Sequence, residues 1–214
     1  MTKPATYTRT RLTPDGRRQQ LVDIGAELYA TRSFGDVWVD EVAEAAQVSR
    51  GLIYHYFPTK REFYMAVLES NAASFNRRIT EAAPGAVGLD RLTKSLRAYF
   101  ECVNENRLGY RAVQVAALGG DPDVKALIEG GNEEAFELLC SEILGDEPPP
   151  PLLRAAITSW QMSLVGMSFE WIAGLEVDID QLVALATRTL FAAVQTAVEL
   201  TPGLEEKLKT DLRF

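Results

Sequence analysis

An all-α fold is what the sequence predicts, and three observations carry it. Apolar residues recur at three- and four-residue intervals in segment after segment, and no stretch alternates as a half-buried strand would. Residues that start and stop helices bracket those segments. The 214 residues are 47% hydrophobic and 24% charged, the proportions of an ordinary globular chain. That length suits one large domain or a small one joined to a larger.

The elements follow in order. Leu21, Ile24, Leu28 and Tyr29 recur at helical spacing and predict a first helix from Asp15 to Thr31. Short second and third helices are expected over Val39 to Ala46 and Ser49 to Tyr56. Pro58 ends the third, because it lacks an N–H and its ring clashes with the preceding turn. Thr59 then caps a fourth helix, with Glu62 three residues on as its capping-box partner, and Pro84-Gly85 stops that helix near Ala83. Leu89 to Asn106, Leu108 to Leu118 and Pro122 to Leu144 form the next three. The pair Gly130-Gly131 is a place where the last of them could kink or split. The run PPPP at 148–151 is a stiff extended connector, and two long helices follow it, Leu152 to Ala173 and Ile179 to Leu200.

Composition narrows the chemistry. Cys102 and Cys140 stand far apart among apolar neighbours and read as core residues of a reducing compartment. With a single histidine, His55, neither a metal cluster nor a Cys/His nucleophile is expected. No phosphate-cradling glycine loop and no hydrolase or metalloprotease signature occurs, and no pair of carboxylates stands out as an acid and a base. An enzyme is therefore not expected, and neither is a cofactor. No apolar run approaches the ~20 residues that span a bilayer, and the polar, basic N-terminus lacks the apolar core of a secretory signal. A cytoplasmic protein without a membrane partner is the expectation. The formal charge of −8 is unevenly spread: residues 1–61 hold nine Lys/Arg against seven Asp/Glu, residues 62–214 thirteen against twenty-three. A duplex-binding module fits the basic end, because the acidic remainder is screened within roughly 8 Å at physiological salt.

The segment from Val42 to Lys60, VAEAAQVSRGLIYHYFPTK, is the informative one. Val42, Ala46, Val48, Ile53 and Tyr56 fall where two short helices crossing steeply would turn inward, and Ala43 is small where the partner passes over it. Ser49 can cap the second of these helices. Arg50, Gly51, Leu52, Tyr54 and His55 are then left facing outward near its start. That is how a helix-turn-helix presents its recognition helix to the major groove. Arg50 can fork onto guanine O6 and N7, and Leu52 can pack on a thymine methyl. Gly51 admits a base edge or the sugar-phosphate backbone closely. Tyr54, Tyr56 and Lys60 can donate to phosphates, as can the amides that open the fourth helix. An amphipathic helical hairpin in a plain bundle, or a module binding a protein partner, is the competing reading of the same residues.

The wording VDEVAEAAQVSRGLIYHYFPTKREF, with RRQQLVDIGAELYATRSF before it, closely resembles the DNA-binding signature of TetR-family transcriptional regulators, from about Arg17 to Val67. The resemblance implies a homodimer with an N-terminal three-helix reader and a larger helical domain that binds an effector. Residues 1–14 would be a basic arm, 15–62 the reader, 63–200 the effector and dimerisation domain, and 201–214 a tail. It further implies a regulator, a repressor in most relatives and an activator in some, acting on a palindromic operator. The DNA-contacting set is then Trp38, Ser49, Arg50, Gly51, Leu52, Tyr54, His55, Tyr56 and Lys60. The chain departs from the pattern in three places. Trp38 stands where Ser or Thr usually caps the second helix; its indole N–H can donate to phosphate but cannot accept, so Asp40 is expected to cap. Gln47 replaces the usual turn glycine, at a disadvantage if its φ is positive. Leu52 replaces a common threonine.

In the larger part, an apolar cavity between helices is the expected effector site. It would draw on Tyr99, Phe100, Val103, Tyr110, Gln114, Phe136, Leu139, Trp160, Leu164 and Met167. Few cations are available there, so the effector should be small and hydrophobic; the resemblance to regulators of lipid metabolism suggests a fatty acyl group or its CoA thioester. Plain core packing is the alternative for each of these residues. The stripe Leu182, Leu185, Ala186, Leu190, Ala193, Val194 and Ala197 on the last helix, with alanines that permit close approach, is expected at a two-fold interface forming a four-helix bundle.

Overall fold

The computed structural model describes residues 13–29 and 38–207. Among these lie nine α-helices and no strand: α1 (Pro14–Tyr29), α2 (Val39–Ala45), α3 (Arg50–Tyr56), α4 (Lys60–Glu81), α5 (Gly88–Glu105), α6 (Arg107–Leu118), α7 (Pro122–Leu144), α8 (Pro151–Ile172) and α9 (Ile179–Glu199), then a 3-10 turn at Glu205–Lys207. The all-α expectation holds, with ends within about two residues of those anticipated. The expected continuation of the first helix to Thr31, the arm up to residue 12 and the tail from 208 lie outside the described residues.

The shifts in boundary have local causes. Ser49 is the cap of α3 rather than its first residue, its side chain accepting from Leu52 N–H at 3.2 Å. Pro151 opens α8, since a missing N–H is harmless in a first helical turn. The Gly130-Gly131 pair does not split α7, which runs unbroken from Pro122 to Leu144. Gly131 has a packing role instead, because a Cβ there would come within 3.0 Å of the Asn76 side chain.

The chain divides into two compact units, Met1–Leu68 and Glu69–Phe214. The first is built on Leu21 and Val22 of α1, Val42 and Ala43 of α2, Ile53 of α3, Phe57, and Phe63 and Val67 of α4, all buried. Each such aliphatic or aromatic side chain removed from water contributes about 1.5–3 kcal/mol. Tyr29 packs edge-on to Tyr64 with centroids 5.1 Å apart. Arg18 lies over the Phe57 ring at 5.0 Å.

The second unit has one continuous core, in which Phe100, Phe136, Leu144, Leu153, Ile157 and Ala186 are at most 2% exposed. Polar contacts fix its helices in register. Glu142 of α7 accepts from Gly88 N–H at 3.0 Å and from Arg91 at 3.2 Å, both on α5. The Trp160 indole of α8 donates to the Ala186 carbonyl of α9 at 2.8 Å. By length and composition α9 could cross a membrane. Its stripe Leu182, Ala186, Leu190 and Val194 is instead spent on this core.

Candidate nucleic-acid interface and effector region

The first unit holds α3 by its apolar back and exposes its front. Ile53 is 1% exposed and Phe57, just beyond the helix, 2%. The remaining residues of α3 face the other way. Arg50, Gly51 and His55 are exposed, while Leu52, Tyr54 and Tyr56 are half-buried. The α2–α3 turn that sets this orientation runs through Gln47 at φ 55, the one positive φ outside glycine among the described residues. Val48 N–H closes the turn on the Ala43 carbonyl at 2.9 Å.

The exposed face is organised by its own contacts. Arg50 reaches Asp40 Oδ2 at 3.3 Å, and both side chains are more than half exposed. Its second guanidinium nitrogen lies 3.4 Å from Tyr54 OH, and the guanidinium stacks 5.4 Å from the Tyr54 ring centroid. The Tyr54 hydroxyl, then Asp40, hold the guanidinium above its ordinary pKa. A solvated pair of this kind is weak, so Arg50 is aimed without being locked. The His55 ring meets Tyr56 edge-on at 5.3 Å. At the flank Trp38 is 63% exposed, with Lys60 Nζ 5.2 Å from its ring centroid. The structure therefore brings Trp38 and Lys60 together beside one another, and Arg50 together with Tyr54. The inward expectation for Tyr56 and Val48 is met only in part, since both are half-buried.

One local expectation is corrected. Asp40 does not cap α2: Trp38 occupies the cap position, its backbone N–H donating to Glu41 Oε1 at 3.3 Å. Asp40, one residue inside the helix, turns to Arg50 instead. At the start of α4 the expected cap is present, Thr59 Oγ1 accepting from Glu62 N–H at 3.1 Å, and the first helical hydrogen bond runs from Phe63 N–H to the Thr59 carbonyl at 3.2 Å.

The ten residues expected around an effector are gathered only partly. Phe100, Val103, Phe136, Trp160 and Leu164 are buried members of the core, with Tyr99, Tyr110, Leu139 and Met167 packed against it. Gln114 is half-buried and outside that cluster. The hydroxyls of Tyr99 and Tyr110 lie 2.5 Å apart, and Ser168 Oγ is 3.2 Å from Tyr99 OH. Sequence reasoning missed Ser168, which is fully buried. The signal was there: a serine inside the apolar run SLVGMSFEW needs a polar partner. Burial holds both phenols above their ordinary pKa, Tyr99 the more strongly.

The expected interface stripe is also corrected. Leu182, Ala186, Leu190, Val194 and Ala197 are at most 4% exposed and belong to the chain's own core. The outward residues of α9 include Leu185, half exposed, and Ala193. With Leu152, Ala155 and Ser159 of α8, Ala193 and Leu200 border an open groove of about 190 Å³.

Comparison with known proteins agrees with this geometry. Residues 21–67 match the family described as bacterial regulatory proteins, tetR family. The chain is 29% identical over 139 residues to the HTH-type transcriptional activator FasR of Mycolicibacterium smegmatis, a match covering 60% of this chain and 61% of FasR. A tetR-family transcriptional regulator from Streptomyces coelicolor superposes with a TM-score of 0.81 at 26% identity, over 91% of this chain and 87% of that one. FadR from Bacillus subtilis in complex with stearoyl-CoA has a TM-score of 0.59 at 18% identity, over 82% of this chain and 97% of FadR, a likeness of fold alone. The helix-turn-helix signature and the helix order of the described residues agree with these similarities: residues 21–67 carry the DNA-binding signature of the tetR family, and the chain over most of its length is similar to a tetR-family transcriptional regulator.

Proposed function

We propose that the chain is a cytoplasmic, ligand-responsive transcriptional regulator that binds a palindromic operator as a homodimer and acts as a repressor. The observation that carries this reading is the outward face of α3, where Arg50, Tyr54 and His55 stand over a buried Ile53. Arg50 reads a guanine edge in the major groove and Leu52 meets a thymine methyl, with Gly51 leaving room for their approach. Trp38, Ser49, Tyr56 and Lys60 anchor the duplex backbone around them. Two such helices on a two-fold axis would engage half-sites one turn of B-DNA apart, roughly 34–36 Å.

The second copy docks on the outer face of α8 and α9. Support comes from the exposed Leu152, Met162, Leu185 and Leu200, more apolar surface than a monomeric helix pair needs to show. The effector is small and mainly apolar, a fatty acyl chain being the first candidate, and it lies near Tyr99 and Tyr110. It changes DNA affinity only by its differential affinity for the two states of the dimer. The helix α4 carries Lys60 at its start and Phe75, 5.6 Å from the Tyr99 ring, further along. The helix α4 thus carries residues of both units. An activator is the second reading, favoured by the name of FasR.

Gel retardation on fragments selected from the source genome tests the proposal. Arg50→Ala should weaken operator binding about tenfold or more and relax preference at one base pair, whereas Lys60→Ala should weaken all sequences alike and lower the salt slope by about one. Operator binding that survives Arg50→Ala unchanged, or that ignores added salt, would overturn the assignment.

A further inference from the structure

A carboxylate sits on the same surface of the first unit as Arg50, Tyr54 and His55. Asp40 lies in the first turn of α2, and Arg50 opens α3. Their side chains are 63% and 60% exposed, with Arg50 Nη1 donating to Asp40 Oδ2 at 3.3 Å. An acid in the first turn favours a helix by itself. Glu41 already serves α2 in that way, its Oε1 accepting from Trp38 N–H at 3.3 Å. Asp40 adds nothing to that cap, and its charge opposes phosphate.

The guanidinium is held from two sides. Nη1 meets Asp40, while Nη2 donates to Tyr54 OH at 3.4 Å and the group lies 5.4 Å from the Tyr54 ring centroid. A guanidinium carries five N–H donors in one plane. One bond at each terminal nitrogen leaves the rest of the fork for a further partner. Guanine O6 and N7 are such a partner, a pair of acceptors in the plane of the base. Asp40 keeps its hydrogen bond while the fork meets guanine, and so fixes the plane in which the fork points.

Against the backbone of an unrelated duplex the balance reverses. Attraction there follows net positive charge through released counterions, and the carboxylate offsets the charge of Arg50 at hydrogen-bond distance. An exposed pair is weak, so each affinity changes modestly and the ratio between them carries the effect. Glu44, also exposed on α2, has the same charge and stands outside this contact.

We propose that Asp40 is a positioning residue that determines specificity: through Arg50 it lowers attraction to unrelated duplex while holding the guanidinium for guanine. This rests on the reading of α3 as the recognition helix. Gel retardation of the full chain on a selected operator fragment, and on a scrambled duplex of equal length and composition, tests it. Asp40→Asn should tighten binding to the scrambled duplex about three- to tenfold and steepen its salt slope by about one per subunit, with operator affinity within about twofold. Asp40→Ala should lower the ratio of the two affinities in the same way. Glu44→Gln should shift both affinities alike. In an Arg50→Ala background Asp40→Asn should leave the ratio unchanged, because the contact it acts through is gone. A ratio that Asp40→Asn and Asp40→Ala do not lower, or that still falls in the Arg50→Ala background, would overturn the proposal. Equal binding of both duplexes by the unaltered chain would instead sink the recognition-helix reading, so the two failures are told apart.

Discussion

Gln47 holds a left-handed turn at φ 55, where a Cβ is disfavoured by roughly 1–2 kcal/mol. Replacing it by glycine removes that strain, partly offset by the entropy glycine loses on folding. Gln47→Gly is therefore expected to raise stability by up to about 1 kcal/mol, read as a higher urea midpoint at unchanged slope. Tyr29 is the opposite case, a buried side chain whose hydroxyl has no hydrogen-bond partner among the described residues. Burial, with Tyr64 beside it, pushes its pKa from 10.0 to about 12. A phenol whose folded pKa is raised stabilises fully below its unfolded value and loses that contribution as pH rises toward the folded one. Stability should thus fall between about pH 10 and 12, and Tyr29→Phe should flatten that fall in urea titrations at stepped pH. Because it also removes an unsatisfied hydroxyl, the substitution should be neutral or mildly stabilising at pH 7. Local chemistry of this size was legible in the sequence where partners are three residues apart, as with Ser49 and Leu52 or Thr59 and Glu62. It was not legible for Asp40, whose partner Arg50 lies ten residues away across a turn.

Helices were the most readable level, because periodicity and stop residues act over a few turns and tertiary packing seldom overrides both. Which partner a helix faces was less readable. The stripe from Leu182 to Ala197 is apolar at helical spacing whether it meets a second copy or its own core. Only the structure assigns five of its seven residues to the core. Gly25 gives no sequence signal beyond its small size, yet it governs how closely α1 approaches α4. A Cβ there would stand 2.6 Å from Phe63 Cζ and 2.7 Å from Val67 Cγ2. Both neighbours are buried, so neither ring nor methyl has free space to move into. Gly25→Ala should destabilise the first unit by about 1–3 kcal/mol, seen as a lower thermal midpoint and weaker operator binding in parallel.

At the scale of the whole molecule, two leucines on one helix separate folding from assembly. Leu190 is 4% exposed inside the core, whereas Leu185 is 50% exposed on the outer face. Leu190→Ala should lower stability by about 2–5 kcal/mol. Leu185→Arg should leave secondary structure intact and shift sedimentation from dimer toward monomer. A dimer unaffected by Leu185→Arg would move the two-fold axis away from this surface. The acidic excess after residue 61 leaves attraction to DNA to the first unit alone, where Asp40 adds a further consequence. Under the proposed reading, Arg50 would keep its carboxylate companion on a stretch of chromosome lacking the matching base edge and lend little to adhesion there. The protein would then depart sooner from decoys than from its target, so that an acidic side chain on the reading surface would shorten the search rather than merely weaken the grip.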